Sequence, residues 1–131
     1  MRYLLDTSVV LWSVAGKHKL SAQAAHLLSS GTSVLYLSSA TAWEMAIKYA
    51  LGKLPIHLEP EAFVPEVMRG MGMQALDITS AHAIEAGRLP NYHRDPFDRM
   101  LIAQANVEGL TLLTADRIFE KYKVAQLFCG K

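Results

Sequence analysis

Short, mainly apolar runs separated by helix-length stretches constrain this chain more than any other feature. Tyr3-Leu4-Leu5, Val34 to Leu37 and Leu110 to Leu113 carry no regular apolar/polar alternation. A strand with one face in water would alternate with period two; these runs must be covered on both faces. Strands alternating with helices in this way predict an α/β fold with a mostly parallel sheet.

The spacing predicts strands at Arg2–Leu5, Val34–Leu37, Ala75–Ile78, Leu110–Leu113 and Val124–Phe128. Helices are expected from Thr7 to Val14 and from Ser21, as cap, to Leu28. Ser38-Ser39 open another, with Ala40, Trp43, Ile47, Ala50 and Leu51 as its apolar face, closed by Gly52 with Pro55 beyond. Pro60–Met71 is the next. Thr79 caps a helix through Ala86 that Gly87 and Pro90 stop, and Asp95-Pro96 open one through Val107 that Gly109 ends. A short helical turn is expected near Asp116.

At 131 residues, with 51% hydrophobic and 19% charged side chains, the chain is expected to form one globular domain, 1–131. A chain of this size buries roughly two-thirds of its unfolded surface, enough for a core without staples. The single cysteine, Cys129, excludes a disulfide framework and a cysteine zinc site, and a cytoplasmic location is expected. Asp6, Thr7 and Ser8 interrupt the apolar N-terminus, and no window supplies the ~18 apolar residues of a membrane span, so no membrane partner is expected. A net charge of +1 signals no bulk attraction to a polyanion.

Chemistry is concentrated in the carboxylates. In a parallel sheet the carboxyl ends of the strands and the amino ends of the following helices share one edge, where ligands bind. Asp6 ends the first strand, Glu44 lies early in the helix after the second, Asp98 opens a late helix, and Asp116 follows the strand at Leu110–Leu113. From Asp98 the helix runs ~15 Å out and the strand ~15 Å back, which returns Asp116 level with Asp98. Asp98 shares a helical stripe with Leu101, Ile102 and Ala105, so its charge needs a partner. A hard divalent cation, Mg²⁺ or Mn²⁺, suits an all-oxygen site.

Each acid also has a plain structural reading. Thr41-x-x-Glu44 matches a capping box, and Glu44 with Lys48 makes a favourable i, i+4 pair. Asp95 and Asp98 suit a helix start, Asp116 can cap its turn, and Asp6 can turn locally with Thr7 and Ser8. His18, His26, His57, His82 and His93 have no ligand-like spacing, which argues against zinc. His26 and His82 are expected to be packed or on a helix surface, and His93-Arg94 to lie in a solvated loop. Neither a phosphate-binding glycine loop nor a nucleophile elbow is present.

Four blocks, Tyr3-Leu-Leu-Asp6-Thr7-Ser8, Ser39-Ala-Thr-Ala-Trp-Glu44, Asp95-Pro-Phe-Asp98-Arg-Met-Leu-Ile-Ala-Gln-Ala105 and Leu112-Leu-Thr114-Ala-Asp116, resemble the PIN domain. They are similar in particular to the small ribonuclease toxins of VapBC-type toxin–antitoxin pairs, over essentially the whole chain. The resemblance implies a three-layer α/β/α fold with a sheet of four or five strands. It implies that Asp6, Glu44, Asp98 and Asp116 are the metal-site acids and that Thr7 and Thr114 are the hydroxyls beside them. Asp95 is an extra acid with a capping role. It further implies hydrolysis of an RNA backbone assisted by one or two Mg²⁺ ions, a homodimer and an inhibiting antitoxin protein. Arg94, Arg99, Arg117, Lys48 and Lys53 are the candidates for gripping the RNA backbone. The same chemistry would serve RNA maturation or DNA cleavage. A phosphoacceptor switch of receiver type is the remaining alternative, and it lacks the adjacent acids such a domain has on its first strand.

Overall fold

The computed structural model describes residues 1–54 and 56–131; the expected role of Pro55 after the third helix lies outside them. Five strands, β1 (Arg2–Leu5), β2 (Val34–Ser38), β3 (Met73–Leu76), β4 (Thr111–Thr114) and β5 (Gln126–Phe128), form one sheet in the order β3-β2-β1-β4-β5. Every neighbouring pair in it is parallel. The connecting helices are α1 (Thr7–Ala15), α2 (Ala22–Ser29), α3 (Ser39–Ala50), α4 (Pro60–Met71), α5 (Ser80–Arg88) and α6 (Pro96–Glu108).

The strand pleat divides the core into two. Tyr3 and Leu5 point to one face, with Leu35, Leu37, Met73 and Leu113, and meet Val9 and Val10 of α1, Ala24 of α2, Met45 of α3 and Phe63 and Val67 of α4. Leu4 and Leu112 point to the other face and meet Leu101, Ile102 and Ala105 of α6 and Phe119. Helix α5 packs on α6. The result is the expected three-layer α/β/α arrangement, with apolar side chains on both sheet faces and no need for alternation. Leu4 and Leu5 are wholly inaccessible; truncating either to alanine costs roughly 2–5 kcal/mol.

The strand order reverses direction at β1: the chain moves from β1 through β2 to β3, then crosses to β4 and β5. The crevice outside the carboxyl ends of β1 and β4 is therefore the switch point at which α/β sheets bind ligands. Asp6 follows β1 directly and Asp116 follows β4 after Ala115.

Three local expectations are corrected. Trp43 and Leu51 are 61% and 63% exposed, with Ile47 also exposed, while the buried stripe of α3 is Ala40, Thr41, Glu44 and Met45. Internal partners for Thr41 and Glu44, described below, make that polar stripe affordable. Strand β3 begins at Met73, because Gly72 ends α4 in the left-handed region (φ 64°) and turns the chain straight into the sheet. Helix α5 passes through Gly87 to Arg88 before Leu89 takes extended backbone. No helix among the described residues is long and apolar enough to cross a membrane.

Candidate active site

Asp6 closes β1 and opens α1. Its N–H donates to the Leu113 carbonyl, which continues the β1–β4 ladder by one residue. Its Oδ1 accepts the Val9 N–H at 2.8 Å, capping α1, and its Oδ2 accepts the Ala115 N–H at 3.0 Å. Only 4% of the residue is exposed. Burial raises its pKa above the ordinary carboxylate value, against the lowering effect of donors from Val9, Thr114 and Ala115, and the charge of Asp116 raises it further.

Glu44 is buried on α3 and fully engaged. The Thr7 hydroxyl donates to Oε1 at 2.6 Å, and the Lys48 ammonium donates to Oε2 at 2.6 Å. Thr41 does not form the expected capping box, because Ser38 caps α3 through the Ala40 N–H and Thr41 sits inside the first turn, accepting from Thr7 at 3.3 Å. The Glu44–Lys48 pair is present as expected. Bonding to Glu44 raises the Lys48 pKa, burial works against this, and the fields of Asp95 and Asp98 add to the rise. Lys48 thus pairs with Glu44 and feels the charges of Asp95 and Asp98.

Asp95 caps α6, its Oδ1 accepting the N–H groups of Phe97 and Asp98 at 2.8 and 3.2 Å. Asp98 lies one turn in and faces the site. Its carboxyl is pushed up to about 6, first by burial and next by the charge of Asp95, with Asp6 and Glu44 contributing in the same direction; a hydrogen bond to His93 opposes the rise. That bond joins Asp98 Oδ2 to His93 Nε2 at 2.8 Å. Asp116 is exposed, and its Oδ1 caps the following 3₁₀ turn (Arg117–Lys121) through the Ile118 N–H at 3.0 Å. Its backbone is held by the Thr114 hydroxyl, which accepts the Asp116 N–H at 3.0 Å.

Ligand atoms of His93, Asp98 and Asp116 lie within 4.8 Å of one another, the one such trio of histidine, cysteine or acidic groups among the described residues. Asp6 and Glu44 stand behind it, near enough to act on Asp98 through their charge but outside that spacing. His93 is the residue that sequence reasoning left in a solvated loop. It is half-buried, with its ring edge-on to Phe119 and its N–H on the Tyr122 hydroxyl at 2.8 Å. Five-residue spacing from Asp98 resembles no ligand motif, so only its closeness to Asp95-Pro96 hinted at the site.

The basic candidates separate. The Arg99 guanidinium donates to the carbonyls of Ala86, Leu89, Pro90 and His93, at 2.9 to 3.3 Å, and so serves the protein's own backbone. Arg117 donates to Glu120 at 2.7 Å and stacks over Phe128. Arg94 and Lys53 are exposed. His82, wholly buried, accepts the Thr79 N–H at Nδ1 and thus donates from Nε2 to Glu108, at 2.8 Å. It belongs to α5 and α6 packing, away from the acids.

Residues 3–125 match the family model described as the PIN domain. Among curated proteins, ribonuclease VapC16 of Mycobacterium tuberculosis is 46% identical over 48 residues, a match covering 37% of this chain and 34% of that protein. The fold is shared with VapBC2 from Rickettsia felis, solved bound to a promoter DNA fragment, at a TM-score of 0.74 and 17% identity over 99% of this chain and 100% of that one. DNA-bound VapBC from Salmonella typhimurium superposes at 0.70 with 22% identity, covering 98% of each chain. Since the family model matches residues 3–125, nearly the full length, the chain belongs to the PIN-domain family.

Proposed function

We propose that this chain is a metal-dependent endoribonuclease of the VapC kind, the toxin of a type II toxin–antitoxin pair that blocks translation and growth. It acts on RNA in the cytoplasm as a homodimer and is restrained by a cognate antitoxin. The observation that carries the reading is the meeting of Asp98, Asp116 and His93, whose ligand atoms lie within 4.8 Å of one another, at the switch point of the sheet, where the charges of Asp95, Asp6 and Glu44 also act on Asp98. Acids in such a position cost stability unless a cation joins them. The curated relative named above is a ribonuclease, and both structural neighbours named above are VapBC assemblies on DNA, which supports the substrate class and the antitoxin.

The donor set fits a hard divalent cation, Mg²⁺ or Mn²⁺: carboxylate oxygens dominate, and the Asp98 carboxyl is destabilised as an anion. Asp98 and Asp116 would hold the ion, with Asp6 and Glu44 completing the field. When bound, such an ion lowers the pKa of a water and offsets charge on a scissile phosphate. The chain's own residues do the positioning. Val9 and Ala115 fix the Asp6 carboxylate by two N–H donors, and Thr7 and Lys48 fix Glu44 by one bond to each oxygen. Thr114 sets the backbone at Asp116. Glu44 would orient a water on the α3 side, and the exposed Arg94 and Lys53 would meet the RNA backbone, with Lys48 and Arg117 joining them on release from Glu44 and Glu120.

The test is sequencing of RNA ends from cells expressing the wild type beside Asp98→Asn. New, sequence-clustered ends and growth arrest are expected with the wild type alone. Identical ends from both would overturn the assignment.

A further inference from the structure

The loop before α6 is built in a way that the four-acid reading does not require. Arg99 spends its guanidinium on four carbonyls of the segment from Ala86 to His93, and the Tyr122 hydroxyl accepts the His93 N–H while donating to Pro90. Phe119 stands edge-on to the imidazole at 6.1 Å. A loop pinned by a guanidinium, a phenol and an aromatic ring fixes one side chain, His93, against Asp98 and toward Asp116.

We propose that His93 is a nitrogen ligand of the site's divalent cation, which makes it a mixed nitrogen–oxygen centre that discriminates Mn²⁺ from Mg²⁺. The inference rests on the metal reading above and adds a donor to it. Nε2 and the Asp98 Oδ2 are 2.8 Å apart, near the roughly 3 Å that separates adjacent ligand atoms on an octahedral ion with ~2.1 Å bonds. The hydrogen bond between these two atoms spans the place that a cation would take. Asp116 offers a third ligand atom within 4.8 Å of both. Imidazole favours borderline transition ions over Mg²⁺, whereas an all-carboxylate site does not draw that distinction as strongly.

His93 is also a clean position to alter. Its structural bonds to Tyr122 and Arg99 use its backbone N–H and carbonyl, so a substitution leaves the loop clamp in place. His93→Gln retains a side-chain donor for Asp98 but removes the imidazole.

The experiment is pulsed electron paramagnetic resonance of Mn²⁺ bound to the full chain, beside calorimetric titration with Mn²⁺ and Mg²⁺, for the wild type, His93→Gln and Asp98→Asn. Imidazole-nitrogen modulation is expected in the wild type and lost in His93→Gln. Mn²⁺ affinity should fall about tenfold or more in that variant, with a smaller change for Mg²⁺. Mn²⁺ bound at the acids, as shown by its loss in Asp98→Asn, without nitrogen modulation would overturn the histidine ligand and leave the metal reading standing. No Mn²⁺ binding by the folded wild type would overturn both.

Discussion

Asp6 and Ala115, 109 positions apart, are joined by a 3.0 Å hydrogen bond from the Ala115 N–H to Asp6 Oδ2 across the carboxyl ends of β1 and β4. The same carboxylate caps α1 through Val9. One side chain therefore holds the edge together as well as contributing charge to the site.

Removing it has two expected effects. Asp6→Ala leaves the Val9 and Ala115 N–H groups without their acceptor and should destabilise the protein by about 2 kcal/mol, partly offset by relief of the buried charge. Chemical denaturation of the metal-free protein measures this. A variant as stable as the wild type would mean that the two bonds contribute nothing net. For the same reason loss of activity in Asp6 variants mixes chemistry with structure, and Asp98 is the sharper probe.

Asp98 carries the opposite sign. Its pKa is about 6 in the folded chain against 3.8 as a free side chain, so between these values the folded state holds more protons than the unfolded one. Its contribution to stability is fully present below about 3.8, is lost as pH rises through the window to about 6, and leaves a penalty at pH 7. Asp98→Asn should stabilise the metal-free protein at pH 7 by on the order of 1–2 kcal/mol after solvent screening, raising its melting temperature, and flatten its pH dependence between about 4 and 6. Melting curves across that range decide it; a destabilised Asp98→Asn at pH 7 would contradict the crowding.

A cation that relieves this crowding stabilises the fold by mass action. At about 100 times its dissociation constant Mn²⁺ should add ~2.7 kcal/mol to the wild type and little to Asp98→Asn. Differential scanning fluorimetry with and without a chelator reads the shift, and equal shifts in both proteins would locate the cation elsewhere.

Arg99→Lys tests the loop clamp. A single ammonium cannot serve carbonyls of four residues in the way a planar guanidinium does, so a loss of roughly 2–3 kcal/mol is expected, and activity should fall with the loop. If stability is unchanged while RNA binding drops, Arg99 grips substrate instead.

The fold was legible because its cues are local. Mainly apolar strands announced two covered faces, Asp95-Pro96 and Gly109 bracketed α6, and Ser21 and Thr79 marked helix starts that the structure retains. What periodicity missed depends on distant partners. On α3 the apolar positions Trp43, Ile47 and Leu51 face outward because Thr7 and Lys48 make Glu44 acceptable inside. Gly87 failed to stop α5, since glycine weakens a helix without forbidding it. Convergence of the acids could be argued from the shared edge of a parallel sheet. His93 could not, because its position depends on Arg99, Tyr122 and Phe119, which no spacing rule connects to it.

RNA cleavage by the purified chain tests the central claim most directly, with wild type and Asp98→Asn compared in Mg²⁺ or Mn²⁺ and after chelation. Cleavage is expected only from the metal-supplied wild type, with Asp98→Asn slower by at least about 10³-fold, the scale of a lost charge-stabilising group. Equal cleavage by the variant, or undiminished cleavage by the thoroughly chelated wild type, would contradict it.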